Sequence, residues 1–484
     1  MYIGIDLGTS SVKCVLVDPD QRVLGSASEA LAVNRPAPTH AEQDPAGWWQ
    51  ATLQALDRLA ADHPGAMSDV RGLGLSGQMH GATLLDAADQ VLRPCILWND
   101  GRAAAECAEM EARWPDLRRV TGNIAMPGFT APKLLWVRKH EPALFDRIAK
   151  VLLPKAYLRL RLSGEYAEDM SDAAGTLWLD VAKRDWSDAA LAATGLTRQH
   201  MPRLVEGSAP AGRLRPELQK RWNMTAAPVI AGGAGDNAAG AVSLGAIHAG
   251  DAFVSLGTSG VLWATTAGFA PNPGKAVHAF CHCLPQTWHQ MGVILSAASC
   301  FAWLADTLGT SEGQLLAGMP ENPVRPGNVL FLPYLSGERT PHNDARIRGA
   351  FIGLSHETDR AALVQAVMEG VAFALKDCLD ALKGAGTHVS SADIIGGGAR
   401  SPLWRAIIAH VLDLPLAEIT GADVSGAFGA ARLGRLAATG EAPGDVCHKA
   451  PRGKTIQPDP ILRDAYAANH QRYRQLYPHL KEVA

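Results

Sequence analysis

The chain opens on a short apolar run, YIGID, followed by the turn LGTSS and a second run, VKCVLVD, with QRVLGSAS continuing the pattern. Apolar runs of this length, punctuated by glycine and small polar residues, predict a β-meander over residues 2–28. The spacing then lengthens to a helical period in DPAGWWQATLQALDRLAADH, where Asp44 suits the N-cap and Pro45 the first turn. A strand pattern returns in VRGLGLSG, leads through QMHG into ATLLD, and is followed by VLRPCILWND as a further predicted strand. Residues 100–225 mix helices and loops, and a buried-strand run, PVIAGGAGDNAAGAVSLGA, begins near Val229.

The pattern then restarts. Residues 251–265, DAFVSLGTSGVLWAT, repeat the strand, LGTS turn and strand of residues 2–17. Two copies of one unit predict two domains of one ancestral type facing each other across a cleft. The expected division is 1–245, 246–440 and a tail, 441–484, read as helical and packed on the surface. A long helix is predicted from the caps Thr358 and Asp359 to a stop at Gly384, and SADIIGGGARSPLWRAIIAHVL reads as strand, glycine turn and helix.

Composition narrows the function classes. With 47% hydrophobic and 19% charged residues the chain is globular rather than disordered or fibrous. A formal charge of -3, without a long basic block, argues against nucleic acid as a partner. The longest uncharged apolar stretch, Gly292 to Ala305, falls short of the roughly 20 residues that cross a bilayer, so no membrane span is expected. The start on a strand, without a signal-like segment, places the expected location in the cytosol. Eight scattered cysteines fit small core residues in a reducing compartment better than a disulfide framework. His278, Cys281, His282 and Cys283 crowd together, but structural zinc takes paired ligands on two separated arms. VHAFCHCL is therefore read as a strand.

Four places carry candidate chemistry. Asp6 ends an apolar strand just before Gly8, Thr9, Ser10 and Ser11. It reads either as a turn cap or as part of a phosphate grip, in which backbone amides and hydroxyls meet phosphoryl oxygens and Asp6 orients a hydrated Mg²⁺. Lys13 adds positive charge. The second copy, Gly257 and Thr258 with Ser259 and Gly260, suits the other end of a triphosphate. Gly396, Gly397 and Gly398, before Arg400 and Ser401, form either a plain turn or a bare backbone surface for a purine, with Arg400 against base or ribose. Asp236, followed by Asn237 in a segment of small residues, is placed as a general base for a hydroxyl. Two other patterns fail: Gly453, Lys454 and Thr455 have His448 where a P-loop needs glycine, and Gly72, Gly74 and Gly77 run into a strand rather than a helix.

IGIDLGTSSVK, GFTAPKLLWVRKH, SLGTSG and IIGGGARSPLW, in this order over nearly the whole chain, resemble the FGGY carbohydrate kinases. Gly128 to His140 agrees with the first family signature, while the second departs at Ala362. The resemblance implies two α/β, ribonuclease H-like domains of the actin, hexokinase and heat-shock ATPase type, with ATP, Mg²⁺ and sugar meeting between them. SGQMHGATLLD, ILWNDGR, LLPKAYLRLRLSGE, MSDAAGTLWLD and FLPYLSGERTPHND look most like the members that phosphorylate D-xylulose. The resemblance further implies that Met79 and His80 contact the sugar, that Asp236 is the catalytic base and that Asn237 is a neighbouring substrate ligand. Trp98, Asn99, Asp100 and Arg102 are expected to shape that region. A homodimer is expected by analogy with the family alone. Two rivals stay open: a kinase for another ketopentose, polyol or sugar acid, and an actin-like or chaperone-like ATPase with no sugar site.

Overall fold

The computed structural model describes residues 1–323, 325–421 and 425–483. The opening meander forms as the apolar pattern predicts: Tyr2–Leu7 pairs antiparallel with Ser11–Val17, which pairs antiparallel with Val23–Ala30. On the other side of the first strand the pairing turns parallel, to Gly72–Gly77, then to Val229–Ala231 and, by one further short segment, to Ala234–Gly235. Pro210–Arg213 closes this edge antiparallel, completing a 7-stranded mixed sheet.

The second half repeats that plan. Ala252–Leu256 pairs antiparallel with Gly260–Thr266, which pairs antiparallel with Trp288–Ile294. Ala392–Ile395 and Leu416–Ile419 extend the first of these in parallel. His278–Cys281 and Arg452–Ile456 occupy the two edges of this second 7-stranded sheet. The repeat read from the two LGTS turns is thus a repeat of sheet topology, and each turn lies at the head of its sheet's first hairpin.

Helices cover the sheets where the sequence signals them. Pro45–Asp62 is capped by Asp44, whose side chain accepts from Ala46 N, and buries Trp48, Ala55 and Leu56. Arg360–Lys383 is capped by Asp359 and ends at Gly384. Ala362 lies in the first turn of that helix.

Three segments differ from the pattern. The run after Val229 is broken: two short strands give way to a helix, Asp236–Leu244, which ends on left-handed Gly245. Its small residues let it lie against the helix Gly426–Thr439, where Gly429 faces the carbonyl of Ala239. In VLRPCILWND only Cys95–Ile96 is strand. The tail is not merely a surface helix: Arg452–Ile456 adds to the second sheet, and Pro460–Val483 drives Tyr466 and Tyr473 into its core. The Tyr473 hydroxyl donates to that of Tyr334 at 2.9 Å.

The helix Gly426–Thr439 comes late in the chain but packs on the first sheet, against Gly72–Gly77 and Tyr2–Leu7. The sheet meets it with glycine. A Cβ on Gly4 would stand 1.7 Å from the carbonyl oxygen of Ala427, and one on Gly74 would stand 1.8 Å from that of Ala430. Backbone seats backbone, so the end of the chain is fixed to its beginning. Gly74→Ala is expected to cost at least about 1–3 kcal/mol through overpacking, read as a lowered thermal midpoint; an unchanged midpoint would contradict this close seat.

Candidate active site

Two carboxylates define the floor of the cleft. Asp6 sits near the end of the first strand, opposite Lys13 in the hairpin register, and accepts from Ser76 Oγ at 2.8 Å. Its pKa is raised by burial, against the opposing pull of Ser76 and Lys13. Asp236 opens the helix Asp236–Leu244, and its Oδ1 accepts from Asn237 N at 2.7 Å and Asn237 Nδ2 at 2.9 Å. The side chain reaches solvent across the open cleft, yet protein walls surround it closely. That enclosure first, and the nearby Asp6 second, lift its pKa to about 6. Such a carboxylate is ionised at neutral pH and basic enough to take a proton.

A buried network holds the backbone that leads into Asp236. Lys155, wholly enclosed, pairs with Glu168, with Asp169 Oδ1 at 2.9 Å and with Asp172 Oδ2 at 3.6 Å. Asp169 accepts from Ser171, whose Oγ in turn accepts from Gly235 N at 3.1 Å. Arg159 donates to the carbonyls of Ala167 and Gly232. Three carboxylates face two cations, and burial pushes the pKa of Asp172 well up, with the Glu168 charge adding to it.

Above this floor lies a cavity of about 340 Å³, lined from both halves of the chain by Met79, His80, Trp98, Asp236, Asn237, Gly257, Thr258, His278 and Arg339. Met79 packs on Gly235, immediately before the carboxylate. His80 has a left-handed backbone, φ 70°, and its carbonyl accepts from Lys133 Nζ at 2.8 Å and Thr130 Oγ1 at 3.1 Å. Both donors belong to the helix Thr130–His140, the segment that carries the first signature. Lys133 is fully buried, which brings its pKa down to about 7. The His80 ring meets the carbonyl of Gly175 through Nδ1 at 2.7 Å, and a Cβ on Gly175 would stand 2.6 Å from that ring. A carbonyl only accepts, so Nδ1 carries the proton and Nε2 is left as an acceptor. Burial holds the ring neutral, with its pKa lowered to about 3.

A larger cavity, about 800 Å³, lies in the second half between Gly397, Gly398, Arg400 and Ser401 on one side and Ala298, Phe301, Glu312, Leu316 and Met319 on the other. Gly257 and Thr258 line both cavities. Their turn is clamped from behind: Ala298 N donates to the carbonyl of Gly257 at 2.9 Å, and Ala297 N to that of Thr258 at 2.9 Å. One small-residue turn therefore separates a polar cavity holding Asp236 from a roomier one with an apolar wall.

The residues singled out in the sequence fall into four groups. Met79, His80, Trp98, Asp236 and Asn237 come together in the smaller cavity, and Gly397, Gly398, Arg400 and Ser401 in the larger, joined by Gly257 and Thr258. Ser401 Oγ also accepts from Trp404 N, capping Pro402–Leu412. Gly8, Thr9, Ser10 and Ser11 border the cleft: Gly8 N donates to Ser11 O at 2.9 Å, and Trp98 Nε1 donates to Thr9 Oγ1 at 2.9 Å. Asp100 and Arg102 support the wall as a buried ion pair at 2.8 Å, with Glu42 2.7 Å from Arg102. His278 and Arg339, and the larger cavity's wall from Phe301 to Met319, were not picked out for these roles. Arg339 stands in the FLPYLSGERTPHND segment, but its chemistry depends on distant neighbours. Cys281 is buried in the edge strand His278–Cys281 and donates to Val181 O at 3.4 Å.

Two family models, the N-terminal and C-terminal domains of the FGGY family of carbohydrate kinases, match residues 1–243 and 252–438. The chain belongs to the FGGY family of carbohydrate kinases. It is 52% identical over 482 residues to the xylulose kinase of Escherichia coli (strain K12), covering 99% of both chains. It is 51% identical over 486 residues to that of Klebsiella pneumoniae, covering 100% of both. The crystal structure of a xyloylose kinase from Brucella ovis superposes with a TM-score of 0.98 at 55% identity, again with 100% of each chain covered. The two-domain α/β fold is that of sugar kinases of the actin and hexokinase type.

Lys155→Met leaves three enclosed carboxylates facing Arg159 alone. Breaking such a buried pair is expected to cost about 3–5 kcal/mol, seen as unfolding at lower temperature or denaturant concentration; wild-type stability would mean that the network does not hold this backbone.

Proposed function

We propose that the chain transfers the γ-phosphoryl group of ATP to the C5 hydroxyl of D-xylulose, giving D-xylulose 5-phosphate and ADP. The observation that carries this reading is the Gly257–Thr258 turn shared by two cavities, one of which holds Asp236. The names and identities of the full-length relatives support the sugar. The larger cavity suits the purine and ribose, between the bare backbone of Gly397 and Gly398 and the apolar wall of Phe301 and Leu316. The triphosphate then runs toward Gly257 and Thr258, with the first turn, Gly8 to Ser11, and Lys13 on its far side.

Asp6 fits the role of holding Mg²⁺ through water: it stands beside Asp236, where two enclosed carboxylates repel each other and a cation relieves both. When bound, Mg²⁺ neutralises phosphate charge and orients the transferred group. The protein's own work is alignment and proton transfer. Met79, His80, Trp98 and Asn237 hold the sugar with its terminal hydroxyl at Asp236. The new bond forms between the C5 oxygen and the γ-phosphorus, the bond from that phosphorus to the β-γ bridging oxygen breaks, and the hydroxyl proton passes to Asp236. In a loose phosphoryl transition state this proton leaves late, so positioning supplies most of the acceleration. Closure of the cleft would keep water from competing for the phosphoryl group.

An ATPase of the actin or chaperone type needs no second polar cavity, and its turnover would be indifferent to ketopentoses. A panel of ketoses, polyols and sugar acids, followed by ADP release, separates the readings; D-xylulose is expected to give the highest kcat/KM.

Asp236→Asn is expected to lower turnover by roughly 10² to 10⁴ while D-xylulose binding is largely kept; near-normal turnover would end the assignment. For the native enzyme, the raised pKa has a definite sign. Asp236 must be ionised to act, so kcat/KM for the sugar should rise with pH through about 6 and then level off. An acid limb near the ordinary carboxylate range would contradict this. Asp6→Asn is expected to weaken use of Mg²⁺-ATP, and an unchanged Mg²⁺ dependence would count against its role.

A further inference from the structure

Arg339 enters the smaller cavity from the second half of the chain, on a loop stitched to the strand Trp288–Ile294 and the residue just beyond it. Glu338 Oε1 accepts from Leu295 N at 3.0 Å and from Arg339 N at 2.8 Å, while Thr340 and Val293 exchange bonds of 3.0 Å in both directions. The backbone on both sides of the arginine is therefore fixed. Among the described residues its guanidinium makes one hydrogen bond, to His278 Nε2 at 3.4 Å, and no ion pair. The guanidinium is half-buried with no carboxylate in ion-pair contact; its enclosure pushes its pKa down, and the neighbouring Glu338 pulls the other way.

His278 is set up to receive it. Asn123 spans the two halves of the chain: its Nδ2 donates to Thr121 O at 2.7 Å and Ala279 O at 3.0 Å, while its Oδ1 faces His278 Nδ1 at 3.4 Å. The amide orientation makes His278 Nδ1 the donor and leaves Nε2 to accept from Arg339. The histidine that stood out beside two cysteines in the sequence thus orients an arginine. The Phe129 ring lies edge-on to both His80, at 4.8 Å, and His278, at 5.6 Å.

The cavity consequently joins two chemistries. Its lining holds the Asp236 carboxylate, tied to Asn237, together with the Arg339 guanidinium, tied to His278 Nε2, and the His80 ring. His80 Nε2 is an acceptor only, and Arg339 is a donor only. On the functional reading above, the acceptor sugar must also be acyclic. A 2-ketopentose closes its furanose ring through the C5 oxygen, so a sugar phosphorylated there presents a free ketone at C2. That ketone is the one oxygen of the substrate that accepts without also donating.

We propose that Arg339 recognises this ketone, donating hydrogen bonds to the C2 oxygen while Asp236 holds the C5 hydroxyl, and so sets a preference for a ketose over the alditol of equal length. His278 and Asn123 are positioning residues for it.

The test compares D-xylulose with D-arabinitol, its C2-reduced counterpart, in the unmodified protein, Arg339→Met and Arg339→Lys. Where turnover of the alditol is too slow, it is read as a competitive inhibitor. Losing a charged donor should lower kcat/KM for D-xylulose about ten- to a hundredfold, mostly through KM. The KM for ATP should stay within about twofold and the alditol should be little affected, so the ratio between the two ligands collapses. Arg339→Lys, which keeps the charge and loses the fork, should fall between. Equal losses for both ligands, unchanged D-xylulose kinetics, or failure of both variants to fold would overturn the role of Arg339. Inactivity of the unmodified protein on D-xylulose would instead overturn the functional reading.

Discussion

An ionised carboxylate kept close to a second one, between protein walls that leave it in reach of solvent, is the constraint on which this structure turns. Asp236 is useful only while it can hold a negative charge at neutral pH and still accept a proton. Full burial would neutralise it, and full hydration would leave it too weak a base. The fold places it between those limits, at the first residue of a short helix whose N-terminal amides favour an anion. Asn237 donates to it twice, and Asp6 opposes its charge from the first strand of the sheet.

Holding that balance requires a rigid approach to the carboxylate. Gly233, with a left-handed φ of 76°, lets the chain turn sharply, and the Lys155, Asp169 and Ser171 network fixes the amide just before Asp236. On its far side, the helix Asp236–Leu244 leans on Gly426–Thr439, which is seated on the first sheet through glycine. The base is thus braced by segments from nearly the whole length of the chain. The second half contributes the other wall: a turn of the same design as the first, its carbonyls tied to the residues just before and at the start of the helix Ala298–Thr307.

Much of this was legible in the sequence, for physical reasons. Strands flanking an LGTS turn have strong local signals, so the meander, its second copy and the helix between Asp359 and Gly384 could be read from periodicity and caps. Asp236 was legible as a candidate because an acid among small residues has few structural uses. That it begins a helix was not, since alanine and glycine in GAGDNAAGAVSLGA give no apolar stripe, and the helix depends on a partner helix far along the chain. The wall from Phe301 to Met319 was hidden for a different reason: an apolar run reports that it is buried, not which cavity it lines. Arg339 and His278 are charged or polar groups whose meaning lies in what they face, and no local pattern reports a neighbour 61 residues away.

The most direct measurement is a crystal structure of the protein with D-xylulose and a non-hydrolysable ATP analogue. The account predicts the C5 oxygen about 2.6–3.2 Å from an Asp236 carboxylate oxygen, with the γ-phosphate beside the Gly257–Thr258 turn and the base between Gly398 and Leu316. A sugar bound with its C5 oxygen turned away from Asp236, or a triphosphate that does not reach that turn, would contradict it.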